Sequence, residues 1–183
     1  MEVINTWDSN ILLYIQENIR NDILNIFFSN FTKLGNNGIL WITLAIIFMC
    51  FKKTRKIGLV LSFSLLLGFI FTNLILKNLV ARTRPFYTIT GLETLVPYPR
   101  DYSFPSGHTT SSFSVCTVLF MMLNKKYSFI FLIFATLMGF SRLYVGVHYP
   151  TDVIFGLIIG VLSSIISYFI IKWFYKKKGV EIC

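Results

Sequence analysis

Five long stretches free of charged side chains divide this chain: Leu34–Phe51, Ile57–Leu76, Thr109–Asn124, Tyr127–Ser141 and Val153–Ile171, of 18, 20, 16, 15 and 19 residues. About 20 apolar residues coiled as a helix cross the hydrocarbon core of a bilayer. Five spans are therefore expected, the third and fourth extended into their flanking segments. A soluble bundle needs a polar face on each helix, and these runs leave almost none. With 55% hydrophobic residues over 183 positions, the expected fold class is all-α: one integral membrane helical bundle filling residues 1–183.

Residues 1–33 are a poorer span. Ile11, Leu12, Leu13, Ile15, Ile19, Ile23, Leu24, Ile26, Phe27, Phe28 and Phe31 are interrupted by polar residues, which predicts one or two amphipathic helices or a short hairpin at the interface. That brings the helix count to six. Residues 34–175 are then the bundle and residues 176–183 a basic tail. No cleavable signal peptide is expected, because Glu2, Asp8, Glu17 and Arg20 interrupt the first twenty residues.

The formal net charge of +9 does not point to nucleic acid, since the basic residues cluster at span ends and form no stripe with interleaved aromatics. Lys52, Lys53, Arg55 and Lys56 form one loop, Lys125 and Lys126 another, and Lys172 with Lys176, Lys177 and Lys178 the tail. Five alternating spans place all three clusters on one side, which the positive-inside tendency makes cytoplasmic, the C-terminus included. Cys50, Cys116 and Cys183 are scattered and suggest neither a redox pair nor a metal site.

Alternation puts residues 78–105 and 141–152 together on the opposite, extracytoplasmic face, where three polar clusters stand at span ends. The first is KNLVARTRP, with Lys77 and Arg84 six residues apart and Pro85 following. The second is PSGH, Pro105 to His108. The third is SRLYVGVHYPTD, Ser141 to Asp152. Lys77, Arg84 and Arg142 are three cations beside a slab of low dielectric, where unpaired charge is expensive. Asp152 and Glu93 are too few to neutralise them, so an anionic ligand is expected among the three.

In PSGH, Gly107 lets a ligand approach the backbone, the amides of a helix start favour an anion, and Ser106 adds a hydroxyl donor. Pro150 is placed to open the fifth span, leaving His148 just ahead of the helix and Asp152 one turn into it, within pairing reach. A carboxylate on one imidazole nitrogen leaves the other as a directed nucleophile or base. Both histidines of the chain fall in these clusters. Two histidines in a cationic cradle suit phosphoryl transfer, one attacking phosphorus and the other protonating the departing oxygen. Glu93, Asp101 and Asp152 lack the spacing of a metal site, so neither metal nor cofactor is expected.

The three clusters together, Lys77-x6-Arg84-Pro85, Pro105-Ser106-Gly107-His108 and Ser141-Arg142-x5-His148-x3-Asp152, resemble the three-part signature of the type 2 phosphatidic acid phosphatase family. The resemblance implies a helical bundle and metal-independent hydrolysis through a phosphohistidine. On the matching positions His148 is the nucleophile, Asp152 orients it and His108 is the general acid. Lys77, Arg84 and Arg142 hold the phosphate, helped by Ser106 and Gly107. The stretch from Arg84 to Thr110 is also similar to small bacterial undecaprenyl-diphosphate phosphatases, which recycle the lipid carrier of cell-wall synthesis. The implied partners are a lipid phosphate or diphosphate and the membrane. Phosphatidylglycerophosphate, phosphatidate and other prenyl phosphates are the alternative substrates, and Arg82 and Arg100 are open to a second phosphate or to anionic headgroups. A transporter or non-catalytic binder of anionic lipid is disfavoured, because ionisable residues lie at span ends and not at the midplane.

Overall fold

The computed structural model describes residues 2–177; Lys178, Glu181 and Cys183 of the expected basic tail lie outside them. The described residues are mostly helical, with no strand among them. In chain order they form α1 (Glu2–Tyr14), α2 (Asp22–Phe31), α3 (Ile39–Cys50), α4 (Arg55–Phe69), α5 (Lys77–Val80), α6 (Pro85–Thr88), α7 (Gly107–Met122), α8 (Lys125–Tyr144) and α9 (Pro150–Lys177). Nine helices among the described residues replace the expected six, because α5 and α6 are single turns and the N-terminal segment holds two.

Four helical stretches are long and apolar enough to cross a membrane: Asp22–Cys50, Arg55–Thr88, Lys125–Tyr144 and Pro150–Lys177. Two differences from the sequence reading follow. The first crossing starts at Asp22 rather than Leu34, because α2 runs along α8: Phe28 lies 5.4 Å from Phe140, and Phe31 5.0 Å from Phe134, between ring centroids. It then bends where Asn36 and Asn37 leave helical geometry, Asn37 at φ 53°. Helix α1, with its continuation to Ile19, falls outside the four long stretches and packs on the bundle through buried Asp8, Leu12 and Ile15, Asp8 accepting from Thr151 at the start of α9.

The second difference is α7, the expected third span, which at 16 residues is absent from the four. Thr109, Thr110, Ser112, Ser114 and Thr117 lower its hydropathy, yet all five are buried. The cause is position. Helices α4, α8 and α9 pack around α7, so it meets protein where the other helices meet lipid. Val60, Leu61, Phe113, Val115, Leu119 and Ala135 interlock there. Ser64 and Ser164 both donate to the Ser114 carbonyl, at 3.0 and 2.8 Å, which satisfies polar groups that lipid could not.

The approach of α7 to α9 depends on two glycines one turn apart. A Cβ added at Gly156 would lie 2.7 Å from the Ser106 carbonyl, and one at Gly160 would lie 2.6 Å from that of Thr110. Small residues at this spacing let membrane helices touch backbone to backbone. The Ser106 amide then reaches the Asp152 carbonyl at 3.0 Å, so the start of α7 is tied to the start of α9. Gly160→Ala is expected to cost about 1–3 kcal/mol by overpacking and to lower the thermal midpoint in detergent by about 2–10 °C; an unchanged midpoint would show that α7 and α9 separate freely.

Candidate active site

Both ends of the bundle are set by the element order. The basic loops Lys52–Lys56 and Lys125–Lys126 and the end of α9 share one end. Lys77, His108, Arg142 and His148 meet at the other, where they line one cavity of about 900 Å³. α4 widens into a π-helical stretch, Ile70–Leu76, directly ahead of Lys77, a local irregularity that recurs at functional sites. Ala81 then adopts a left-handed conformation, φ 47°, ending α5 and reversing the chain toward Arg82 and Arg84.

His148 sits between α8 and α9, ahead of Pro150, and is 2% exposed. Its Nδ1 lies 3.4 Å from Asp152 Oδ2 and its Nε2 lies 3.3 Å from Arg84 Nη1. With the Nδ1 proton directed at the carboxylate, the Nε2 lone pair faces the guanidinium and the cavity. Burial, then the charges of Arg84, Arg142 and Lys77, hold the imidazole well below its ordinary pKa. At neutral pH it is uncharged, as a nucleophile must be.

The three cations differ in their partners. Arg84 donates Nη2 to Asp101 Oδ1 at 2.6 Å, Nε to the Asp101 carbonyl at 2.8 Å and Nη1 to the Val147 carbonyl at 2.7 Å. Lys77 pairs with Asp101 Oδ2. Arg142, 5% exposed, donates Nη1 to Thr32 Oγ1 at 2.6 Å, while its buried Nε has no hydrogen-bond partner among the described residues. A buried guanidinium without a carboxylate calls for an anionic ligand.

Asp101 is the counter-ion that the sequence reading overlooked when it counted only Asp152 and Glu93. Burial alone would push its carboxyl up, but Lys77 and Arg84 outweigh this and hold it at about 2. The sign is that of a depressed carboxylate: its ion pairs are at full strength above about pH 4, the usual carboxylate value, and fade as pH falls through about 2. Lys77 and Arg84 thus already bind an anion supplied by the protein, one half exposed at the cavity mouth.

His108 occupies the first turn of α7, with Nε2 3.1 Å from Asn36 Oδ1. The turn before α3 crowds it: a Cβ on Gly35 would come within 2.5 Å of His108 Cδ2, so only glycine admits the ring there. Gly107 lines the cavity, and a Cβ added to it would meet only Asn73 Oδ1, at 3.6 Å. Ser106 is placed differently. It is fully buried, is not among the residues lining the cavity, and accepts at Oγ from the Thr109 amide and hydroxyl as the N-cap of α7.

Asp152 is also behind the cavity wall, fully buried. Arg82 binds Asp8 and Asp152 and does not line the cavity. Arg100 is exposed and lines a small recess with Asn73, Lys77, Asn78, Asp101 and Tyr102. Away from its charged end, the cavity continues between α3 and α4 along Ile42, Ala45, Ile46, Leu65, Leu66 and Phe69. Cations at one end and aliphatic side chains at the other suit an amphipathic anion.

Residues 57–176 match the PAP2 superfamily. Over 129 residues the chain is 37% identical to an undecaprenyl-diphosphatase of Sulfolobus acidocaldarius, covering 70% of this chain and 62% of that protein, so it spans less than two thirds of the relative's length. Two crystal structures share the fold. Aquifex aeolicus LpxE superposes with a TM-score of 0.77 at 30% identity, covering 88% of this chain and 94% of that one. The first transmembrane PAP2 type phosphatidylglycerolphosphate phosphatase from Bacillus subtilis gives 0.77 at 27%, covering 97% and 88%.

Asp101 and an incoming anion compete for the same two cations. Asp101→Asn is therefore expected to tighten inorganic phosphate binding about tenfold, the effect of removing about 1.4 kcal/mol of like-charge repulsion. Calorimetric titration in detergent measures it, and a weaker affinity would mean that Asp101 organises Lys77 and Arg84 more than it competes for them.

Proposed function

The chain is a multi-pass membrane protein that belongs to the PAP2 superfamily, and from that premise we propose that it is a lipid phosphatase removing phosphate from a lipid phosphate or diphosphate, with undecaprenyl diphosphate the preferred substrate. The observation that carries the reading is the His148–Asp152 pair at the base of a cavity that holds Lys77, Arg84 and Arg142. The relative named an undecaprenyl-diphosphatase supports the choice of lipid.

In the first step His148 Nε2 attacks the terminal phosphorus. A P–N bond forms as the P–O bond to the leaving lipid breaks. Burial and the nearby cations hold the His108 ring below its ordinary pKa in the free protein, and the bound phosphate offsets those cations so that His108 carries the proton it delivers to that oxygen. Asp152 holds the Nδ1 proton and offsets the positive charge the ring gains on phosphorylation. The transferred group carries its charge on three oxygens, which Lys77, Arg84 and Arg142 stabilise, with Arg142 Nε an uncommitted buried donor. In the second step water attacks the phosphohistidine, His108 takes its proton, and the P–N bond breaks to release inorganic phosphate. Ser106 serves through the cap that fixes the Gly107 amide.

The aliphatic walls of α3 and α4 would receive the lipid tail while its headgroup meets the cations. The reading places this end on the extracytoplasmic face, because the basic loops gather at the opposite end. Three cations around the phosphate supply the charge stabilisation that catalysis surviving chelation needs.

Phosphate release by detergent-purified protein tests the assignment. With chelator present, turnover of undecaprenyl diphosphate is expected to persist, and His148→Ala to abolish it while lipid binding survives. Near-normal turnover by the alanine variant would end the proposed mechanism. Asp152→Asn should lower kcat by about 10²–10⁴-fold, the scale for removing the carboxylate behind a catalytic histidine; an unchanged rate would make the pair structural. Preferential hydrolysis of phosphatidylglycerophosphate, the substrate named for the Bacillus subtilis structure, would keep the chemistry and change the lipid.

A further inference from the structure

Asp152 is held at both carboxylate oxygens. Oδ2 accepts from the Ser103 hydroxyl and from the Tyr149 amide at 3.0 Å, besides facing His148. Oδ1 accepts from Arg82 Nη1 at 2.8 Å. The same guanidinium donates Nη2 to Asp8 Oδ2 at 2.7 Å, and its carbon lies 3.7 Å from the centre of the Tyr149 ring. Asp8, fully buried, also accepts from the Thr151 amide at 3.0 Å and the Thr151 hydroxyl at 2.6 Å. An unbroken ionic chain thus runs from α1 through Arg82 to the carboxylate behind His148.

Neither Asp8 nor Arg82 lines the cavity, so neither is placed to touch a substrate there. Burying so many charges without catalytic return is poor design for stability, since a well-packed apolar cluster does as well. Arg82 supplies the cation that lets Asp152 be buried as an anion, and two-point attachment fixes the plane of that carboxylate. Asp8 balances Arg82 in turn, so the trio keeps one net negative charge to set against the ring as it gains positive charge.

We propose that Asp8 and Arg82 are positioning residues that act on the nucleophile through Asp152, making the amphipathic helix α1 a working part of the active site. The inference rests on the reading of His148 as nucleophile and Asp152 as its partner. It assigns Arg82 a task other than contacting a second phosphate, and gives the N-terminal segment a task other than lying on the membrane.

The test is a mutant cycle on turnover of undecaprenyl diphosphate by full-length protein in detergent, with His148→Ala as blank. Arg82→Gln is expected to lower kcat about 10–100-fold, the range for groups that orient a reacting residue, with KM within about twofold. Asp8→Asn should lower kcat about fivefold alone but less than about twofold in the Arg82→Gln background, because it acts through the arginine. Arg82→Lys, which can reach one carboxylate but not both, should fall between wild type and Arg82→Gln; it also carries the comparison if the glutamine variant does not fold. Arg82→Gln with normal kcat, effects that multiply across the cycle, or KM rising in step with the fall in kcat would each overturn the inference while leaving the mechanism standing. Full activity of His148→Ala would instead remove the mechanism on which it rests.

Discussion

The backbone contact between α7 and α9 is the constraint on which the rest of the site depends. His108 stands at the start of one helix and His148 just before the start of the other, about forty residues apart in sequence. Gly156 and Gly160 let the helices close until the Ser106 amide meets the Asp152 carbonyl. In lipid this closeness rests on packing and interhelical hydrogen bonds, because the solvent is as apolar as the side chains. Helix α7 can carry serines and threonines because it is buried against α4, α8 and α9: the Thr110 hydroxyl accepts from Thr72, and the Ser114 carbonyl accepts from Ser64 and Ser164.

Charge imposes the second condition. Lys77, Arg84 and Arg142 and the ion-paired trio of Asp8, Arg82 and Asp152 lie at the end of a low-dielectric bundle, and each cation is matched differently. Arg82 is fully engaged by carboxylates, Lys77 and Arg84 share a half-exposed one, and Arg142 has only a threonine. The gradient runs from permanent structure to exchangeable ligand. Groups behind the cavity wall are bound to one another, and those facing the cavity hold partners that an outside anion can replace.

Much of this was legible in the sequence because it is local. The neutral runs marked α3, α4, α8 and α9, and the spacing from His148 through Pro150 to Asp152 needs only helical geometry to be read. The rest depends on contacts across the chain. Nothing near Asp8 indicates that it meets Arg82, 74 residues away, and Asn36 gives no sign that it will face His108. Asp101 was within reach, standing beside Arg100 in a segment already assigned to the same face as the cations. The run Thr109–Asn124 marked α7 as well, although that helix has 16 residues and is shorter than the four long stretches. The start of the first long stretch at α2 was not legible, because the polar residues Asn25 and Ser29 that interrupt its pattern meet protein partners at Tyr144 and Leu95.

The cavity that joins Lys77, Arg84 and Arg142 to the aliphatic faces of α3 and α4 is a single space with two solvents at its walls. On the proposed reading, a lipid anion that fills it need not leave the bilayer: its charged end moves sideways to the cations while its tail exchanges one hydrocarbon neighbour for another. Capture is then a search in two dimensions, governed by the mole fraction of ligand in the leaflet and not by its amount per volume. Diluting the membrane with inert lipid would slow such a protein even if nothing in the surrounding water changed.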